Sequence, residues 1–256
     1  MNFRRKIFAL VPVIFLCAKI MAQENYEIQV YGSKTVDVKT TMVELHSNFT
    51  FSAPDSSSYG VYSSNNSFHE TVEITHGFTP WMEVGFYFFN SIGNNMRTNY
   101  VGSHIRPRFA VPESCGWPLG LSISFEYGIQ RREFSEDVQT LEIRPIIDKK
   151  WNKLYMSFNP TLEKSFKGYN ERLAPVFSPN IKGSFDFTSK LTLGLEYYGS
   201  IGPLNNFYAP SNMDHQLFLA ADINGFPKWE FNFGVGAGLD QNSQGYIIKT
   251  IVGRRF

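Results

Sequence analysis

The chain has 256 residues, and its 24 lysines and arginines nearly balance 23 aspartates and glutamates, leaving a formal charge of +1. That balance gives no electrostatic footprint for nucleic acid or another polyanion. The two cysteines, Cys17 and Cys115, offer none of the CxxC or Cys/His spacings of metal centres, and no cofactor is expected.

In chain order, "MNFRRK" is a short basic stretch and "IFALVPVIFLCA" (7–18) an apolar run too short to span a bilayer as a helix. A small residue, Ala22, then precedes Gln23. The pattern predicts a secretory leader over 1–22, cleaved after Ala22. Lipidation at Cys17 is the rival reading, and bulky Leu16 opposes it. Cys17 leaves with the leader, so the mature chain keeps only Cys115 and no internal disulfide. Residues 23–41 form a lead segment with three open placements: a periplasmic lead, a plug inserted in the fold, or an additional strand pair.

From residue 42 the periodicity is that of strands with one apolar and one polar face. In "LSISFEYGIQ", Leu121, Ile123, Phe125, Tyr127 and Ile129 alternate with Ser122, Ser124, Glu126, Gly128 and Gln130. In "YVGSHIRPRFA", Val101, Ile105, Pro107 and Phe109 alternate with Gly102, His104, Arg106 and Arg108. Such segments fall at 42–52, 66–78, 81–90, 100–110, 120–130, 138–147, 153–164, 176–187, 190–199, 215–224, 228–239 and 245–256. Each is about 10 residues, the length of a tilted transmembrane strand. The predicted fold is all-β: a single antiparallel transmembrane β-barrel of about 12 strands over 42–256. Pro107, Pro145, Pro160 and Pro179 lie inside segments, where a missing donor predicts bulges or weakened strands.

The connections alternate as well. Short ones, expected to be periplasmic turns, fall at 78–80, 112–118, 148–152, 187–189 and 224–227. Longer, more polar ones, expected to be extracellular, fall at 53–66, 91–99, 131–137, 165–175 and 201–214; 240–244 is short and breaks the trend. Trp81, Trp117, Trp151 and Trp229 all sit at or beside the short turns, as an interfacial aromatic girdle would. A soluble β-sandwich or lipocalin-like barrel is opposed by apolar faces almost free of charge beside faces carrying Glu, Arg and Asn. The final segment is expected to pair with the first and, ending on Phe256, to be the strand presented to the barrel-assembly machinery; Arg254 is expected to snorkel to headgroups.

The hairpins "GFTPWMEVGFYF" (77–88) and "DFTSKLTLGLEY" (186–197) align without a gap, with Gly85 and Gly194 in one slot. With "IRPRFAVPES", "LEIRPII" and "FNPTLEKS", they resemble outer-membrane transporter barrels related to the phenol meta-cleavage pathway family. That resemblance implies a barrel and passage of small solutes, and transfers no catalytic or ligand residue.

If apolar faces meet lipid, the opposite faces line a lumen. The expected lining and constriction residues are Glu44, His46, Glu73, Glu83, His104, Arg106, Arg108, Glu126, Glu142, Arg144, Asn159, Glu163, Asn180, Glu196 and Asn232, with Lys182, Asp222, Glu230, Lys249 and Arg255 on the same faces. Arg106, Arg108, Arg144, Glu126 and Glu142 are expected to form one charged belt over three neighbouring strands. The function expected is a passive outer-membrane channel or transporter for small solutes in a Gram-negative bacterium, with membrane lipid as partner and no nucleic acid. The alternative is a structural or receptor-type barrel whose lumen is closed by salt bridges. A lipid hydrolase ranks lower: Ser47 and His46, like Ser103 and His104, are sequence neighbours and face opposite sides of a strand.

Overall fold

A computed structural model describes residues 26–53, 60–93, 97–240 and 243–256. The leader expected over 1–22 lies outside the described residues, as do 54–59 of the first long loop.

From Thr41 the chain is largely strand: β1 (Thr41–Thr50), β2 (Ser67–Thr79), β3 (Met82–Ile92), β4 (Thr98–Ala110), β5 (Gly120–Gln130), β6 (Asp137–Trp151), β7 (Leu154–Gly168), β8 (Val176–Asp186), β9 (Leu191–Ser200), β10 (Gly202–Pro203), β11 (Asp214–Ile223), β12 (Trp229–Gly238) and β13 (Tyr246–Arg255). β10 is a two-residue addition beside β8. The other twelve each pair antiparallel with two neighbours, and β1 pairs with β13, so the sheet closes. At the seam Phe256 N–H donates to Thr41 O at 2.9 Å. Closure leaves no long unpaired edge, which a bilayer would not tolerate.

The two faces reverse the order of a water-soluble barrel. Buried side chains are mostly polar, and exposed ones are mostly large and apolar. One exterior row runs Leu195, Leu219, Val235, Ile248, Phe49, Phe68 and Ile92 through successive strand pairs. Leu195, Leu219 and Val235 keep 54%, 57% and 54% of their surface exposed. Rows like this suit hydrocarbon and would be an aggregation hazard in water.

Three details differ from expectation. β6 and β7 run past the expected turn at 148–152: Asp148 to Trp151 pair with Ser157 to Leu154, and only Asn152 and Lys153 turn. Asn152 takes a left-handed φ of 50°, which asparagine tolerates. Charged residues there marked the rim, where a strand leaves lipid for water, rather than its end. Strands of this length shorten the connections, so 93–97 and 131–136 are shorter than 111–119 on the opposite rim; 201–213 remains long.

The prolines neither end strands nor shift the register. Pro145 and Pro160 share one gap in the β6–β7 ladder, between the pairs Ile143–Leu162 and Ile147–Phe158. Pro107 lies in a gap between Ile105–Tyr127 and Arg108–Ser124. The register is the same on both sides of each gap, because the missing donors lie between pairs that fix it.

All four tryptophans sit on the turn rim and are exposed. Trp81 stacks on Phe109 and Trp229 on Phe231. Arg254 lays its guanidinium over Trp229 and Phe256, 5.2 Å and 4.8 Å from the ring centres. These cation–π contacts hold the Arg254 side chain against the aromatic rim.

Candidate functional site

The interior is occupied by the chain's own lead segment. Tyr26, Glu27, Ile28, Val30, Tyr31, Ser33 and Thr35 are buried. The backbone of 26–38 has no regular secondary structure apart from a bridge at Val38, bends at Ser33, and bonds walls on different sides of the closed sheet. Thr71 Oγ1 of β2 donates to Tyr26 O at 2.6 Å. Lys249 Nζ of β13 donates to Ile28 O at 2.9 Å. Tyr31 N–H donates to Asn159 Oδ1 of β7 at 2.8 Å, while Ser157 Oγ donates to Tyr31 O at 2.6 Å. Arg108 of β4 spreads its fork over Gly32 O and Lys34 O at 2.9 Å and 3.0 Å. Ser33 N–H and Oγ donate to the Asp148 carboxylate at 2.8 Å and 2.7 Å, and Val36 N–H donates to Glu83 Oε2 at 2.6 Å.

A segment bonded to β2, β4, β7 and β13 at once can only run through the lumen. Of the three placements open for the lead segment, the described residues take the inserted one. Backbone away from water needs partners for its N–H and C=O groups, and the polar wall supplies them. The segment descends from Tyr26, packed with Phe89 and Val101 toward the loop rim, to a parallel bridge between Val38 and Gly77 near the turn rim. There it reverses into β1.

Apolar contacts anchor both sides. Ile28 and Val30 pack with Tyr198, Phe218 and Ile247. Tyr26 packs with Tyr87 and Phe89. Sequence reasoning missed these inward aromatics because runs such as "GFYFFN" and "LEYYG" are apolar on both faces, so alternation does not sort them. That two-sidedness is itself the signal: a strand apolar on its lumen face must meet something apolar inside.

Tyr31 is the centre of the arrangement. Its ring lies 4.7 Å from the guanidinium carbon of Arg106, 4.8 Å from that of Arg144 and 5.8 Å from that of Arg108. Its hydroxyl donates to Glu27 and lies 3.2 Å from Tyr87 Oη. Three guanidinium groups stand over one buried ring, and cation–π contacts are strongest where they are desolvated.

The expected single belt does not form. Arg106 turns to Glu73 (2.6 Å) and Glu83 (3.6 Å), and Arg108 to Glu83 (2.6 Å). Arg144 pairs with Glu142 on its own strand at 2.7 Å and with Glu27 at 3.4 Å. Glu126 takes His104 at 2.6 Å, and Gln130 meets the other ring nitrogen at 3.1 Å. Tyr31 stands between these groups, so the arginines meet a ring instead of one another.

Across the lumen, Lys249 meets Glu196, and Lys182 bridges Glu196 and Asp222 at 3.1 Å and 3.0 Å. Asn232 donates to Asp222 at 2.6 Å and Asn180 to Thr161 at 3.4 Å. Glu230 pairs with Arg255 at the turn rim. Glu126, Glu142 and Glu163 stand directly opposite one another on β5, β6 and β7, as do Glu44 and Glu73 on β1 and β2. All expected lining residues lie on the interior face. Glu142, Glu163 and Asn232 are half-buried and the other twelve buried.

Beside the segment a cavity of about 910 Å³ remains. Gln29 and Val30 bound it on one side; Lys153, Thr188, Asn224 and Trp229 mark its turn-rim end, and Glu44 and Glu196 line it deeper. Neither serine–histidine neighbour pair is assembled: Ser47 Oγ donates to Glu70 and Ser103 Oγ meets Tyr100 Oη, both at 2.6 Å.

No family model matches the chain, and neither does any curated protein. Solved structures do share its fold. An outer membrane channel from Pseudomonas putida F1 superposes with a TM-score of 0.62 at 9% identity, over 90% of this chain and 100% of that one. KdgM porin gives 0.56 at 10% identity, over 84% and 99%. NanC porin gives 0.52 at 7% identity, over 82% and 97%. At such identities the likeness is one of fold: this chain is built as a twelve-stranded barrel of the kind those porins form.

Proposed function

We propose that the chain is an outer-membrane channel for small solutes, with residues 26–38 set in its path as an internal plug. The observation that carries this is the lead segment held through the lumen beside a residual cavity. The apolar exterior and the tryptophan rim support placement in the outer membrane. The two aligned hairpins, which carry the resemblance to the phenol meta-cleavage barrels, share one placement: Gly85 and Gly194 both lie on lumen faces where a side chain would meet the preceding strand. The separation of Ser47 from His46 and of Ser103 from His104 supports a non-enzymatic barrel.

The interior charge supports a solute class. Glu44, Glu73, Glu83, Glu126, Glu142, Glu163, Glu196, Asp222 and Glu230, with Asp148, cavity-lining Asp186 and plug residue Glu27, outnumber Arg106, Arg108, Arg144, Lys182, Lys249 and Arg255 with cavity-lining Lys150 and Lys153. An excess of carboxylates in a low-dielectric passage favours cations and neutral solutes. KdgM porin has also been solved in complex with disordered oligogalacturonate; the acidic excess here makes such a polyanion a poor fit.

The test is the reversal potential of the purified protein in planar bilayers under a potassium chloride gradient. A potential on the potassium side is expected, and an anion-selective potential would contradict the reading. The second reading, a structural barrel, is favoured by the dense pairing around Tyr31; it predicts no conductance with or without the plug.

A further inference from the structure

β1 and β2 place Glu44 directly opposite Glu73 and His46 directly opposite Thr71, all on the lumen face. Like charges at opposed positions repel, and burial sharpens the cost. Arg106 answers half of that charge, donating to Glu73 Oε1 at 2.6 Å. Among the described residues no lysine or arginine lies within ion-pair distance of Glu44.

His46 adds an independent observation. It is 0% exposed, and neither of its ring nitrogens has a hydrogen-bond partner; Glu73 Oε2 has none either. A buried imidazole whose Nδ1 has no partner, and whose Nε2 meets a carboxylate oxygen at ion-pair distance without hydrogen-bond geometry, asks for an explanation. His46 Nε2 and Glu73 Oε2 stand 3.4 Å apart. That is long for a charge-assisted hydrogen bond. It is close to the roughly 3.4 Å that separates two ligands each about 2.1 Å from a tetrahedral ion. Glu44, His46 and Glu73 each offer a ligand atom within 4.8 Å of the others.

We propose that Glu44, His46 and Glu73 form a site for one divalent transition-metal ion of the zinc type. Its ligands are His46 Nε2 and one oxygen from each carboxylate, with water in the fourth position. An imidazole beside carboxylates suits zinc and its first-row neighbours, whereas calcium and magnesium take oxygen ligands. Arg106, on the far oxygen of Glu73, holds that carboxylate in place as an outer-shell partner does. Glu44 lines the 910 Å³ cavity, which gives the ion a route from the turn rim. The site does not depend on the channel reading.

The experiment uses the full mature chain without an affinity tag, in detergent. Cys115→Ser is the background, because that exposed thiol would itself take zinc. Zinc is added, free metal is removed by desalting, and bound metal is counted; affinity is then read by competition with a chromophoric chelator. One retained equivalent is expected. His46→Gln and Glu44→Gln should each weaken it at least about tenfold, the lower bound for outer-shell changes at metal sites. His104→Gln should leave it unchanged, since that ring is already taken by Glu126 and Gln130. Each variant is scored only if it keeps the heat-shifted gel band of a folded barrel; should His46→Gln fail to fold, Glu44→Gln decides. No retained equivalent in the parent protein, or undiminished affinity in the folded Glu44→Gln variant, would overturn the proposal.

Discussion

Deleting residues 26–38 is expected to raise single-channel conductance several-fold and to replace brief or small openings with a steady open level. The deletion removes the backbone that bonds Arg108, Lys249, Asn159 and Ser157. It also removes Ile28 and Val30, apolar side chains worth about 1.5–3 kcal/mol each when fully buried, together with the buried rings of Tyr26 and Tyr31. The unfolding midpoint in denaturant should therefore fall. The barrel should still assemble, because the twelve-strand ladder and its β1–β13 seam do not include the segment. Equal conductance in the two proteins would place the segment outside the path. Silence in both would favour the structural barrel.

Leu219→Arg should destabilise the barrel by about 2–4 kcal/mol, the cost of an arginine near mid-bilayer on a lipid-facing strand. Leu219 lies in the middle of β11, between outward Leu195 and Val235. Leu204→Arg is the matched control. Leu204 is similarly exposed, but it lies in the loop-rim connection 201–213, where the cost falls to about 0–1 kcal/mol. Refolding titrations into lipid vesicles measure both. A soluble barrel would tolerate the two alike, and equal titration midpoints would remove the membrane assignment. Ser124→Arg, although on a polar face, would be no mild change: Ser124 is 1% exposed and stands directly opposite both Arg108 and Arg144.

Why the strands were legible and the plug was not has a physical answer. Strand alternation is imposed by two solvents, lipid outside and a polar interior, and it repeats in every strand, so Leu121 to Gln130 alone disclose it. The lumen list follows from the same parity, which is why Glu44, Arg106, Asn159 and Glu196 all fall inside. Pairing across the lumen is not periodic. Whether Arg106 meets Glu126 or Glu73 depends on what stands between them, and that is Tyr31, far away in sequence. Residues 26–38 have no lipid-facing side and no regular partner strand, and their alternation, Tyr26, Ile28 and Val30 against Glu27 and Gln29, runs for only five residues, half the length of the barrel strands. Their trace appears elsewhere, in the inward Tyr87, Phe89, Tyr198 and Phe218 that a merely water-filled lumen would not require.

The threading of this segment is tested most directly by a crosslink. Ser33 Oγ and Asp148 Oδ1 are 2.7 Å apart, one on the lead segment and one on β6. In a Cys115→Ser background, Ser33→Cys with Asp148→Cys should be joined by a short bifunctional methanethiosulfonate in intact outer membranes. The joined product would run at altered mobility on a denaturing gel until reduced. Lys228, at the turn rim beside β12, provides the control position: Ser33→Cys with Lys228→Cys should remain unjoined. A joined Ser33–Asp148 pair and an unjoined control are the results predicted. Failure of the first pair to join in a correctly folded barrel, with both thiols shown to be reactive, would contradict the passage of residues 26–38 through the lumen.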